Sequence, residues 1–264
     1  YNQILLKRNG TIMNININSL KSIYISILFN ETELATATGF LINQGSEIYL
    51  ITNRHVVTGR DNQTNKCLDQ VNAGIPNKIK IWFPYRENNY YKWSNISYDL
   101  YNANGEPLWM EHPIYKNKVD VIALNLGTFD QNLFCYNIHS SYSPIVTENV
   151  FIIGYPFGYN VRPKEGRYAI WSTGTVASAP DLDIEINGEQ LPAFLIDAKT
   201  RKGQSGSPVI YHSANGFDRQ ANGFAIYGGP ITHELGIYSG RINADSDLGY
   251  VWKWKLIEEI ISTK

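Results

Sequence analysis

Gly203-Gln204-Ser205-Gly206-Ser207-Pro208 runs into the apolar pair Val209-Ile210 and sets a serine between two glycines on a tight turn. A glycine two positions before the serine lets the backbone turn so that its N–H can face a developing oxyanion. A glycine just after the serine leaves room for a carbonyl to approach. Glycines and serines also cluster in ordinary turns, so this hexapeptide needs support from elsewhere in the chain.

Two stretches supply it. Tyr49-Leu50-Ile51-Thr52-Asn53-Arg54-His55-Val56-Val57 is an apolar strand running into a polar turn with one histidine. Lys118-Val119-Asp120-Val121-Ile122-Ala123-Leu124 reads as an apolar strand interrupted by a lone carboxylate. A buried carboxylate is costly without a hydrogen-bond partner, and an imidazole is one such partner. The bland readings are a satisfied or surface histidine at 55 and a turn cap or Lys118 partner at 120. His112, His139, His212 and His233 are the other histidines, and none has a strand-to-turn setting as good as that of His55. Asp61 and Asp99 are rival carboxylates, but neither leads into an apolar strand in the same way.

Together these residues resemble the chymotrypsin-like serine peptidases, nearest to the bacterial branch of HtrA-type and other trypsin-like peptidase domains. Ile51 to Val57 resembles that branch's histidine motif, Val119 to Leu124 its aspartate motif, and Asp197-Ala198 with Gly203 to Pro208 its serine motif. The resemblance covers roughly residues 35 to 260, judged by motif order. It implies a triad of His55, Asp120 and Ser205, with the N–H groups of Gly203 and Ser205 forming the oxyanion hole. It further implies a serine endopeptidase acting on a protein or peptide through an acyl-enzyme. The alternative is a binding module of the same fold, dormant or completed by a partner. An α/β-hydrolase is disfavoured by motif order, since its serine precedes its acid and histidine.

Departures from the digestive members sharpen the picture. Gln204 stands where they carry an aspartate that pairs with a freed N-terminal amine, and no Ile-Val-Gly-Gly-like start is visible. Activation by N-terminal cleavage is therefore not expected. Ser207 replaces the usual second glycine. Gly236 to Gly240, with Ile237, Tyr238, Ser239 and Gly240, resembles the strand that walls the specificity pocket and pairs with substrate. Gly249-Tyr250-Val251 resembles the opposite wall, and Lys199 falls where the base of the pocket is expected. If Lys199 points inward, an acidic residue before the cut is favoured; the plain alternative is a solvated loop of Lys199, Arg201 and Lys202.

The rest of the chain is consistent with this reading. Its 264 residues can bury a sizeable core, and 43% hydrophobic against 18% charged residues argues for a globular fold. A net charge of −1 offers no basic footprint for nucleic acid. No run of about 18 apolar residues predicts a membrane span. No metal-ligand spacing and no cofactor motif is present, and Cys67 and Cys135 leave a single bridge open. Residues 1–12 show no apolar signal core, so a cytoplasmic location is expected, a secreted mature form being the alternative. The missing zymogen features suggest a regulated enzyme, with a regulatory protein partner.

Isoleucines at 23, 25 and 27 recur with period two. Further strands are expected at Ala35–Leu41, Glu47–Thr52, Lys78–Phe83, Val119–Leu124, Val150–Ile153, Tyr168–Ser172, Thr175–Ser178, Ala193–Ile196 and Pro208–Tyr211. Many short strands between Gly/Pro turns predict an all-β fold. The family implies two antiparallel β-barrels with the site between them. The division reads as an N-terminal leader over 1–15, processed or foreign to the natural chain, barrels over 16–140 and 141–250, and an amphipathic C-terminal helix over 251–264.

Overall fold

The computed structural model describes residues 3–8, 11–71, 73–87, 90–161, 166–220, 223–243 and 245–262. A hairpin of β1 (Gln3–Arg8) and β2 (Thr11–Asn16) and a short helix α1 (Asn18–Lys21) come first. There follow β3 (Ser22–Phe29), β4 (Thr32–Gln44), β5 (Glu47–Thr52), helix α2 (Arg54–Thr58), β6 (Lys78–Glu87), β7 (Tyr90–Asp99), β8 (Trp109–Glu111), β9 (Ile122–Gly127) and β10 (Asn132–Leu133). These eight strands form one sheet in the order β10-β6-β3-β4-β5-β9-β8, with β7 on β6. Loop hydrogen bonds curl it round: Leu108 N–H donates to Leu100 O, Leu100 N–H to Asn77 O and Asn77 N–H to Leu28 O.

The second half holds β11 (Asn149–Gly154), a 3-10 turn (Pro156–Gly158), β12 (Ile170–Val176), β13 (Ile184–Ile186), β14 (Glu189–Leu191) and β15 (Ala193–Ala198). It continues with β16 (Pro208–Ser213), β17 (Phe217–Gln220), β18 (Gly223–Ile226), β19 (Ile231–Arg241), β20 (Leu248–Lys253) and helix α3 (Lys255–Ile261). Here β11-β12-β15-β20-β19-β16 closes into a barrel, and β13–β14 and β17–β18 are separate hairpins. The fold is all-β, two antiparallel barrels with a closing helix.

Strand periodicity sorts the side chains into distinct cores. Ile23, Ile25 and Ile27 of β3, with Ile48 and Leu50 of β5, fill the first barrel. Their neighbours Tyr24, Tyr49 and Ile51 face the other way. There they meet Ile153, Ile210, Ile237 and Trp252 of the second barrel, so a third apolar cluster lies between the two. Val150, Ile152, Val209 and Val251 fill the second barrel. Full burial of each Ile, Leu or Val contributes about 1.5–3 kcal/mol, so strands buried on both faces fix the register of each barrel and the joint between them.

Several strand expectations change. β9 begins at Ile122, not Val119, because residues 119–121 leave the ladder to carry Asp120 inward. Tyr168–Ser172 and Thr175–Ser178 merge into the single strand β12. Gly174 does not break it but lets Ala198 approach, since a Cβ there would lie 2.7 Å from that of Ala198. The closing helix is shorter than 251–264: Leu248–Lys253 is held by ladders to β15 and β19, and α3 starts at Lys255. Its Leu256, Ile257, Ile260 and Ile261 are buried, as an amphipathic helix requires. β7 was not anticipated at all.

Candidate active site

His55 sits where a buried strand gives way to one turn of helix. Asn53, fully buried, precedes α2, and Gly59 ends it with a left-handed φ of 64°, its N–H donating to His55 O. Glycine is the residue that adopts this conformation without penalty. The Asn53 side chain donates to Asp120 O at 2.7 Å, tying the helix to the loop that carries the carboxylate.

Asp120 is 2% exposed, and such a charge persists only when well partnered. Its carboxylate accepts the His55 N–H at 2.9 Å, faces His55 Nδ1 at 2.6 Å and accepts Ser239 Oγ–H at 2.5 Å. A carboxylate only accepts, so Nδ1 carries the proton and Nε2 keeps its lone pair. Burial opposes the charged imidazole, but Asp120, by charge and hydrogen bond, and Asp61 outweigh it and hold the His55 pKa above the usual value.

The rival groups are occupied elsewhere. The Asp61 carboxylate caps its own turn by accepting Thr64 N–H and Oγ–H, both at 2.7 Å. His112 bonds Glu259 of α3 at 2.9 Å, and His233 pairs with Asp218 at 2.9 Å.

The serine turn is clamped from three sides. Gly203 has φ +92°, and a Cβ there would lie 2.4 Å from Tyr155 O; Gly206 has φ +84°, and a Cβ there would lie 2.0 Å from Thr38 O. Both positions exclude side chains by conformation and by space. Thr38 of β4 donates its Oγ–H to Gly203 O at 2.8 Å and its N–H to Ser205 O at 3.0 Å. From β19, Tyr238 O accepts Gly206 N–H and Tyr238 N–H donates to Ser207 O, both at 2.9 Å. The third clamp is Gln204, fully buried: its Oε1 accepts Arg201 N–H at 2.8 Å, and its Nε2 donates to Ser172 Oγ at 2.9 Å. An uncharged amide thus holds the turn from within the chain.

Gln204→Leu keeps similar volume but strips Arg201 N–H and Ser172 Oγ of these partners. It is expected to lose about 1–3 kcal/mol of stability, read by urea unfolding; an unchanged midpoint would remove Gln204 from this role. Ser207 carries the opposite expectation. It is fully buried, and its Oγ has no hydrogen-bond partner among the described residues. Ser207→Ala should therefore leave stability unchanged or raise it by about 1 kcal/mol in the same experiment, and a clear loss would contradict the assignment.

Ser205 Oγ–H donates to Ser239 O at 3.1 Å, and among the described residues no hydrogen bond joins it to His55. Both side chains nevertheless line one cavity with Gly203. The N–H groups of Gly203 and Ser205 have no hydrogen-bond partner among the described residues. A register shift between Tyr238 and Gly240 breaks the β19–β20 ladder at Ser239. A bulge re-aims a side chain, and here it sends Ser239 Oγ to Asp120 while Tyr238 turns into the barrel.

Ile237 is buried in the inter-barrel cluster and Gly240 pairs with Tyr250. Lys199 is exposed, so it does not form the base of a pocket; the neighbouring Thr200, 1% exposed, takes the inward position. Alternation along β15 and the turn after it puts one residue of the pair in solvent and the next in the core. Cys67 and Cys135 are free. Among the described residues no helix is long and apolar enough to cross a membrane, and no group of three or more His, Cys, Asp or Glu is placed to hold a metal ion.

The barrels and the site define a chymotrypsin-type fold. Deg5 shares it with a TM-score of 0.50 at 17% identity, over 91% of this chain and 86% of that one. A protease from M. tuberculosis in its active form shares it with a TM-score of 0.51 at 17% identity, over 93% of this chain and 81% of that one. The serine endoprotease from Yersinia pestis does so with a TM-score of 0.51 at 13% identity, over 92% and 62%. No curated protein matches the sequence. The trypsin-like peptidase domain matches residues 37–216, well over half of the chain, and the chain belongs to that peptidase family.

Sequence reasoning missed Thr38, the Gln204 clamp and the hydroxyl of Ser239 on Asp120. A threonine in a strand looks like ordinary β-branched filling, and bonds between residues 38 and 203 are created by tertiary structure alone.

Proposed function

We propose that this chain is a serine endopeptidase that cleaves protein or peptide substrates through an acyl-enzyme on Ser205. The observation that carries the reading is the pairing of half-buried His55 with buried Asp120, 2.6 Å apart, with His55 on one cavity with Ser205 and two unengaged N–H groups beside it. Ser205 Oγ turns from Ser239 O towards His55 Nε2 and gives up its proton as it attacks the substrate carbonyl. The carbonyl oxygen becomes an oxyanion, held by the N–H groups of Gly203 and Ser205. His55 passes the proton to the leaving amine as the C–N bond breaks. Water then repeats the cycle on the acyl-ester, with His55 again taking and returning a proton. Asp120 keeps the imidazole in its Nδ1–H form and stabilises the imidazolium.

A second reading has its own support in the Ser205 hydroxyl resting on Ser239 O. A module whose serine needs a partner to turn it would be silent alone. A serine-directed fluorophosphonate separates the two. Labelling of the isolated chain at Ser205, with hydrolysis of a peptide library, is the expected result. Absence of both would sink the autonomous endopeptidase, and labelling restored by an added protein would establish the partner-dependent form.

A further inference from the structure

The two sides of the reacting centre are built differently. On the acyl side, the walls expected from the sequence are β19, the Gly249 strand and Lys199, whose inward place Thr200 takes. The Tyr238 ring occupies the space between them. Its hydroxyl is hydrogen bonded to Thr200 Oγ, and a Cβ at Gly249 would lie 2.6 Å from Tyr238 Cε2. Tyr238 and Thr200 are 2% and 1% exposed, so the protein's own side chains fill this slot. Burial also pushes the Tyr238 phenol above its ordinary pKa, keeping it neutral.

On the other side of His55 and Ser205 a cavity of about 490 Å³ is open. Its apolar walls include Leu34, Ala35, Ala37, Val56, Leu68 and Pro76, and the charged Asp69 and Lys202 also line it. No residue of β19 lines it, so it does not lie along the strand expected to pair with the acyl half. Gly74 has no side chain to fill it: a Cβ there would sit 2.9 Å from Leu34 Cδ2. The nearby Asp69 carboxylate accepts Val71 N–H at 3.1 Å and Gly74 N–H at 3.4 Å, and is engaged in shaping the loop. A cavity of this size, with mostly apolar walls and shared with His55 and Ser205, fits a bulky apolar side chain.

Resting on the endopeptidase reading, we propose that substrates are selected mainly by a large apolar residue immediately after the scissile bond, with only a small side chain before it. The preference is measurable in the reverse direction of the acylation step. An amine nitrogen attacks the Ser205 acyl-ester, the carbonyl–Oγ bond breaks, and the amine proton passes through His55 to Oγ, leaving an amide and the free hydroxyl.

Methyl esters of short peptides ending in Ala or Phe, together with the amides of Gly, Asp, Leu and Phe, test this on the whole chain. Esters ending in Ala should turn over at least about tenfold faster than those ending in Phe. Leu and Phe amides should capture the acyl-enzyme at least about tenfold better than Gly amide, the effect of burying one large side chain. Leu68→Asp and Ala35→Trp, both on the cavity wall, should each erase most of that preference. Equal capture of Gly and Leu amides by a chain that does label with fluorophosphonate would overturn this inference alone. So would a Leu and Phe preference untouched by both variants. A chain that neither labels nor turns over the esters would refute the endopeptidase reading and this one with it.

Discussion

Ser205→Ala is expected to lower kcat for peptide hydrolysis by about 10⁶-fold, the scale on which loss of a nucleophile removes a whole chemical route. Stability should barely change. The hydroxyl makes one hydrogen bond, to Ser239 O, on a half-buried residue, so the difference should stay within about 1 kcal/mol. The turn keeps its shape through Gly203, Gly206, Thr38 and Gln204, none of which involves Oγ. Turnover and urea unfolding on the same preparations check both halves. Residual turnover within about tenfold of wild type would remove Ser205 from the nucleophile's role.

Asp120→Asn is the second large effect, a fall in kcat of about 10⁴-fold through the wrong imidazole tautomer. An amide N–H₂ facing Nδ1 forces the proton onto Nε2, where Ser205 would have to donate. The same substitution should move the pH profile. In the wild type the imidazole is held above its ordinary pKa, despite burial, by Asp120 and Asp61. A general base must be neutral, so activity should rise with pH along a limb above the ordinary imidazole value of about 6.5. Removing the charge leaves burial to dominate and shifts that limb downward. The sign for folding is opposite. A raised native pKa favours the protonated fold, so this contribution to stability is fully present below about pH 6.5 and fades as pH rises through the native value. A variant with an unmoved acid limb and near-wild-type kcat would exclude Asp120 from the pair.

The parts of the site legible in the sequence are those that depend on residue type. A histidine after an apolar strand, an aspartate among valines and a serine between glycines each stand out chemically. Ser22 to Phe29 was legible for a physical reason too, its isoleucines alternating without interruption. β7 was not. Tyr91 and Trp93 mark one face, then Ile96 and Tyr98 mark the other, so no single alternation runs through it. Among the described residues its one ladder is to β6, and its remaining contacts, such as Trp93 on Tyr168 and Tyr98 on the first-barrel core, come from distant parts of the chain. Asp120 was legible as a residue and illegible as backbone. The apolar pair Val119 and Val121, fully buried beside it, imitates a strand that the chain leaves at that point. Ser239 is legible as part of the strand expected to pair with substrate, but the contact of its hydroxyl with Asp120 is not, because a ladder slip of one residue cannot be read from composition.

Thr38 belongs to the first barrel, yet its hydroxyl and amide hold two carbonyls of the turn that bears Ser205 in the second. The same hydroxyl accepts Tyr155 N–H at 3.1 Å, and its own carbonyl is held by Thr52 Oγ–H at 2.8 Å, one residue before Asn53. His55 and Asp120 are likewise in the first half and Ser239 in the second. The alignment of Ser205 with His55 is therefore a property of the seam between halves and not of either half. On the proposed mechanism, any force that prises the seam by an ångström would disarm the chemistry while both barrels stay intact, making the chain a coincidence device that is competent only when its two halves are docked.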